Sequence, residues 1–233
     1  MEPGTAVRHA STVTTREKCG IVLVAHGGQE QSTAPVSASQ LAVLRMIPIA
    51  SAIRQAVSGD AIEVRRPLFT VRGWNGAKAS PVADLTAVLD EIALRSPGVP
   101  VVLVGHSMGG RAAIRAAGHP AVIAVAGLAP WLPPGEPAGQ LAGRRVLLAH
   151  GTADRITRPA DTWAYAERAR AVSDLTVIEI RGGDHPMIRR ALLWHAIAAE
   201  FARASFGLPA GSGEAAVAIT TASARRAKMV SLW

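Results

Sequence analysis

The sequence contains a single cysteine, Cys19, among 233 residues. That excludes a disulfide within the chain and a metal site built on cysteine. Aromatic residues make up 4% of the chain, too few for the stacking surface that single-stranded nucleic acid requires. No apolar run reaches the ~20 residues that span a bilayer. The opening stretch MEPGTAVRHASTVTTREKCG has no apolar centre and is not read as a secretory signal. The expectation is a soluble, cytoplasmic protein without stable membrane association. An excess of 25 Lys and Arg over 17 Asp and Glu gives a formal charge of +8, which by itself would permit nucleic-acid binding. The arginines, however, are scattered through helical stretches with acids among them, so a nucleic-acid partner is not expected.

What the chain has in abundance is short aliphatic runs separated by longer amphipathic ones. Strands are expected at 19–27, 61–71, 98–105, 121–129, 144–151 and 175–183, and helices at 38–58, 81–95, 107–118, 159–172 and 187–206. Several strands are apolar without alternation, as when both faces of a parallel sheet are covered. Strand–helix alternation implies an α/β protein, a three-layer α/β/α sandwich with a mostly parallel sheet of about six strands. In the first helix Leu41, Leu44, Ile47 and Ile53 fall at helical spacing, and Pro48 kinks it or marks a late start. The chain divides into a flexible N-terminal extension (1–18), one domain (19–206) and a C-terminal tail (207–233). The tail is rich in small residues, with room for a short docked segment ending in Trp233. On this reading its removal leaves stability nearly unchanged.

One junction raises a chemical question. In VVLVGHSMGGRAAIRAA, residues 101–117, a buried strand runs straight into a helix through Gly105-His106-Ser107-Met108-Gly109. A G-x-S-x-G pattern alone is a modest signal, but a sharp strand-to-helix turn is what a nucleophile elbow needs. The helix N-terminus then aims free N–H groups at the serine oxygen. A serine hydroxyl needs a base. His185 lies in IRGGDHPMIRR after the last expected strand, at the same sheet edge as Ser107. Asp154, in LLAHGTADRITRP, is the better placed acid to orient it, with Asp184 the rival. The order Ser, Asp, His is the one expected for an elbow nucleophile. His26 and His150, each before a glycine at a strand end, are read as loop-bracing residues.

These motifs resemble the α/β-hydrolase superfamily. GHSMGG is similar to its elbow, HGTAD to its acid loop, GGDHPM to its histidine loop, and AHGGQ at 25–29 to its oxyanion loop; VRGWNG at 71–76 resembles its Arg-Gly segment. The likeness covers about residues 19–206. It implies a serine hydrolase acting on an ester or related acyl bond through an acyl-enzyme, with Ser107 as nucleophile, His185 as base and Asp154 as its orienter. The oxyanion hole would use the N–H of Met108 and, by analogy, that of Gly28, with Gln29 the runner-up. No cofactor and no metal are implied, and the partner is a small acyl substrate; the oligomeric state is left open. The family's first two antiparallel strands are not evident before residue 19.

The linker PWLPPGEPAGQLAG at 130–143 is too short for a helical cap. An open, capless site is therefore expected, rimmed by Trp74, Trp131, Leu132 and Met187, with Gln29 as a further substrate-binding candidate, and favouring short acyl chains. Two other readings compete: acyl transfer or perhydrolysis by the same triad, and a binding protein that kept the fold without the chemistry.

Overall fold

The computed structural model describes residues 20–225 and 229–233. The expected N-terminal extension lies outside them, as would any strand preceding Gly20. Seven strands form one sheet: β1 (Gly20–Ala25), β2 (Ile62–Arg65), β3 (Val101–His106), β4 (Val122–Leu128), β5 (Arg145–Gly151), β6 (Asp174–Ile180) and β7 (Val230–Leu232). Their order is β2-β1-β3-β4-β5-β6-β7, and every neighbouring pair is parallel. The central strands are buried along their whole length, which explains why their sequences do not alternate.

Helices cover both faces. α1 (Leu41–Leu44), α2 (Met46–Ala56), α6 (Ala191–Ser205) and α7 (Glu214–Arg225) pack on one face through Met46, Ile49, Ile53, Trp194, Ile197 and Ile219. α3 (Ser80–Arg95), α4 (Met108–Ala116) and α5 (Pro159–Ala169) cover the other through Leu85, Leu89, Ile114 and Tyr165. No helix of the described residues is long and apolar enough to cross a membrane.

The three-layer architecture and the parallel sheet of about six strands are as expected; the sheet has seven. Four local features differ. The stretch expected to be a flexible tail supplies α7 as well as the short docked segment β7, which pairs with β6. The buried side chains of this stretch, apart from Ile219 and Leu232, are alanines, which carry little of the apolar periodicity that marks a docked helix. β2 is four residues long, since the chain leaves the sheet after Arg65; beyond it Phe69 donates its N–H to His26 Nε2. In α1–α2 the buried stripe is Val43, Met46, Ile49, Ala50 and Ile53, whereas Leu41, Leu44 and Ile47 face outward. Both stripes have helical spacing, and only contact with the sheet chooses between them. Pro48 stands in the first turn of α2, where its missing N–H costs nothing. Finally, α6 begins at Ala191, not near 187.

A direct consequence concerns stability. Ile219 and Leu232 are buried against the body, and each such side chain contributes ~1.5–3 kcal/mol. For a domain of this size, 1 kcal/mol moves Tm by about 2–4 °C. A chain ending at residue 207 is therefore expected to melt at least about 6 °C lower in a thermal scan. An unchanged Tm would show that α7 and β7 add nothing to the body.

Candidate active site

All parallel strands end on one edge of the sheet, so the loops after β1, β3, β5 and β6 are brought together there. The chain turns from β1 toward β2 on one side and toward β3 on the other. A reversal of this kind opens a crevice at the carboxyl ends of the strands. Gly28 lies just past β1 and Ser107 just past β3, one on each side of that crevice.

Ser107 sits between β3 and α4 with φ 54° and ψ −120°, left-handed backbone that a side chain adopts only at a cost of ~1–3 kcal/mol. Three backbone bonds hold it there. Its N–H donates to Leu128 O, and its carbonyl accepts from the N–H groups of Arg111 and Trp131, each at 3.1 Å. The glycines are needed for close approach. A Cβ on Gly105 would collide with the Gly109 carbonyl, and one on Gly109 with that of His26.

His185, in the loop from β6 to α6, places Nε2 3.0 Å from Ser107 Oγ and Nδ1 2.8 Å from Asp154 Oδ2. Burial alone would raise the Asp154 pKa. Hydrogen bonds from His150, His185 and the N–H groups of Ile156 and Thr157 outweigh it and hold the carboxyl well below the usual carboxylate range. An ionised carboxylate can only accept, so the His185 proton is on Nδ1 and the Nε2 lone pair faces the Ser107 hydroxyl. Asp184, the rival acid, spends Oδ1 on the N–H groups of Ile188 and Arg189, both at 3.0 Å, and so braces its own loop.

Two residues around the acid escaped the sequence reading of the site. His150, at the end of β5, donates from Nε2 to Asp154 Oδ2 at 3.0 Å, and its Nδ1 accepts the Thr162 hydroxyl at 2.8 Å. The Thr157 hydroxyl donates to the same Oδ2 at 2.9 Å, and Asp154 Oδ1 accepts the N–H groups of Ile156 at 2.8 Å and Thr157 at 3.0 Å. The one hint in the sequence is that His150 lies four residues before Asp154. Rather than a loop, it braces the carboxylate itself.

This gives a test that packing alone would not pass. His150→Leu removes one donor, and a hydrogen bond to a charged group contributes enough to lower kcat by about 10- to 100-fold. With that donor gone the carboxylate is held less firmly and orients the His185 ring less well, so the loss is expected in kcat with little change in KM. His150→Gln, which keeps an N–H, is expected to restore most of kcat. A kcat equal to the parent's in His150→Leu would reduce His150 to a filler of space.

His106 and His26 complete the surroundings. His106 donates from Nε2 to the His185 carbonyl at 2.8 Å and is neutral, its pKa lowered to about 3 by burial and by the neighbouring His185. His26 donates from Nδ1 to Gly27 O at 2.7 Å and accepts the Phe69 N–H on Nε2 at 3.2 Å, which ties the glycine loop to the 69–73 segment. Gln29 donates its N–H to Arg72 O at 2.8 Å and is thereby removed as an oxyanion donor. Among the described residues, the N–H groups of Met108 and Gly28 have no protein acceptor. Met108 also packs its thioether against Gly28, where a Cβ would collide with it.

The expected rim is only partly a rim. Gln29 is exposed and Trp131 half-buried, but Trp74, Leu132 and Met187 are buried. Met187 packs in the core on the α2–α6 face, whereas Trp74 is covered by Arg111, one turn into α4. Its guanidinium lies 3.8 Å from the centroid of Trp74 and 4.6 Å from that of Trp131, and it bonds the buried Glu136 carboxylate at 2.7 Å. Arg115 pairs with the same carboxylate. The 130–143 linker is thus clamped onto α4, and Trp74 and Leu132 belong to the core on that side. Among the described residues no group of three or more His, Cys, Asp or Glu side chains could hold a metal ion.

The family model described as serine aminopeptidase, S33, matches residues 71–144, which include Ser107 but stop short of Asp154 and His185. No curated protein matches the sequence at a significant level. Among solved structures the chain is similar to an α/β serine hydrolase without lid from Xanthomonas campestris, with 21% identity, a TM-score of 0.57 and coverage of 84% of this chain and 85% of that one. It is also similar to an α/β serine hydrolase homologue from Coxiella burnetii, with 18% identity, a TM-score of 0.58 and coverage of 78% and 85%. A monoacylglycerol lipase from Paleococcus ferrophilus aligns at 18% identity, with a TM-score of 0.57 and coverage of 79% and 94%.

Proposed function

For a chain that is an α/β-hydrolase by fold, we propose the activity of a serine hydrolase that cleaves an ester or related acyl bond through an acyl-enzyme. The observation that supports this best is the hydrogen-bonded line Ser107 Oγ, His185 Nε2, His185 Nδ1, Asp154 Oδ2, at 3.0 and 2.8 Å, behind a serine held in left-handed backbone.

In this reading Ser107 Oγ attacks the acyl carbon while its proton passes to His185 Nε2. The resulting imidazolium is stabilised by Asp154, whose carboxylate stays ionised. Negative charge on the substrate oxygen is met by the N–H groups of Met108 and Gly28, and each donor of this kind is worth ~3 kcal/mol at the transition state. His185 then hands its proton to the leaving oxygen. Water, activated by the same imidazole, frees the acyl group. The ordering of the carboxylate by His150, Thr157 and two backbone N–H groups keeps the His185 ring from turning away between the two halves of the cycle.

The test is labelling with a fluorophosphonate, followed by p-nitrophenyl esters and aminoacyl anilides as alternative substrates. Labelling with turnover of esters supports the reading. Turnover of anilides alone would favour peptide substrates, as the name of the matching family suggests. A protein that neither labels nor turns over any acyl substrate would be a binding protein on this fold.

A further inference from the structure

On the face of the sheet that carries α2 and α6 lies an apolar groove of about 340 Å³. One wall is Leu41, Leu44 and Pro48 of α1–α2; the other is Pro186, Met187 and Ile188, the three residues that follow His185. The volume lies in the range of small-molecule sites. Its polar lining is sparse. His195 is held toward its neutral form by burial, and Arg45 lies within electrostatic reach of Asp184. Leu41 is 77% exposed and Ile188 72% exposed, so apolar side chains face water on both walls.

Resting on the serine-hydrolase reading above, we infer that this groove holds the alcohol portion of the ester, and that the substrates are esters of short acids with aliphatic alcohols. The argument is the path of the proton. His185 must deliver it to the leaving oxygen, so the alcohol departs on the His185 side of the tetrahedral intermediate. The oxyanion donors Met108 and Gly28 take the charged oxygen elsewhere. Pro186 follows His185 directly in the chain, so one wall of the groove continues the loop that carries the base. On the opposite face of the sheet the 130–143 linker is clamped onto α4 around Arg111 by Trp74, Trp131 and Glu136. The Leu41–Leu44 stripe that faces away from the sheet thus acquires a partner, and Met187, expected on an open rim, becomes part of the groove wall.

The experiment compares kcat/KM for ethyl, butyl and hexyl acetate with that for ethyl acetate, butyrate and hexanoate. Full burial of a methylene would raise kcat/KM about 4-fold, so a rise of at least about 10-fold is expected from ethyl to hexyl acetate, with little rise along the acyl series. Ile188→Asp and Leu44→Asp, both at exposed positions and so compatible with folding, are expected to flatten the alcohol series. Leu94→Asp, exposed on α3 across the sheet, is expected to leave it as it is. A flat alcohol series in a protein that hydrolyses esters, a rise along the acyl series instead, or a rise that survives both groove substitutions would each overturn the groove assignment alone. A protein that neither labels with fluorophosphonate nor hydrolyses any ester would overturn the hydrolase reading and the groove with it.

Discussion

Replacing Ser107 with alanine is expected to lower ester turnover by about 10⁶-fold, the scale of nucleophile loss in serine enzymes that act by a triad. Fluorophosphonate labelling should vanish with it. The fold should persist, because the three bonds that hold Ser107 in place are made by its backbone and alanine keeps that backbone. Its left-handed φ of 54° is equally strained for serine and for alanine, so Tm is expected to stay near the parent's and should be measured beside activity. Residual turnover within ten-fold of the parent, or labelling at another residue, would remove Ser107 from the reaction. His185→Ala is expected to match it in turnover, since nucleophile and base act as one unit and their losses do not add.

Asp154→Asn is expected to lower kcat by about 10³–10⁴-fold while the protein remains folded. The surroundings dictate how the amide must lie. The N–H groups of Ile156 and Thr157 both point at Oδ1, so the amide oxygen stays there. The NH₂ then takes the place of Oδ2 and faces His185 Nδ1. A donor at that position leaves Nδ1 as acceptor and drives the proton to Nε2, where the imidazole can no longer accept from Ser107. Asp184→Asn, whose oxygen can still accept the N–H groups of Ile188 and Arg189, is expected to change kcat by less than about 3-fold, because no bond to the His185 ring is lost. The reverse ranking of the two variants would reassign the acid.

Much of this site can be read along the chain because each of its parts is local. A G-x-S-x-G segment between an aliphatic strand and an alanine-rich helix already dictates a tight turn, and the turn leaves the serine at the sheet's edge with free N–H groups behind it. Likewise an aspartate and a histidine placed just past successive parallel strands must come out on the same edge as the serine. The alternation of buried strands and amphipathic helices carries the three-layer architecture in the same way.

What the chain could not decide by itself is set by contacts between distant segments. The choice between the stripes Leu41–Leu44–Ile47 and Val43–Met46–Ile49–Ile53 is made by which side of the helix meets the sheet, since both have the same period. The tail joins the sheet because β6 presents a free edge to Val230–Leu232, a pairing that no local pattern of three residues can announce. Gln29 loses its claim to the oxyanion hole to the Arg72 carbonyl, 43 residues away. Trp74 is drawn from the rim into the core beneath one guanidinium paired with a buried carboxylate. His150 becomes part of the acid's surroundings only because the turn after β5 folds Asp154 back onto it. In each case the sequence supplies side chains able to make either arrangement, and the free energy that separates the two comes from burial and hydrogen bonding between segments that meet only in the folded chain.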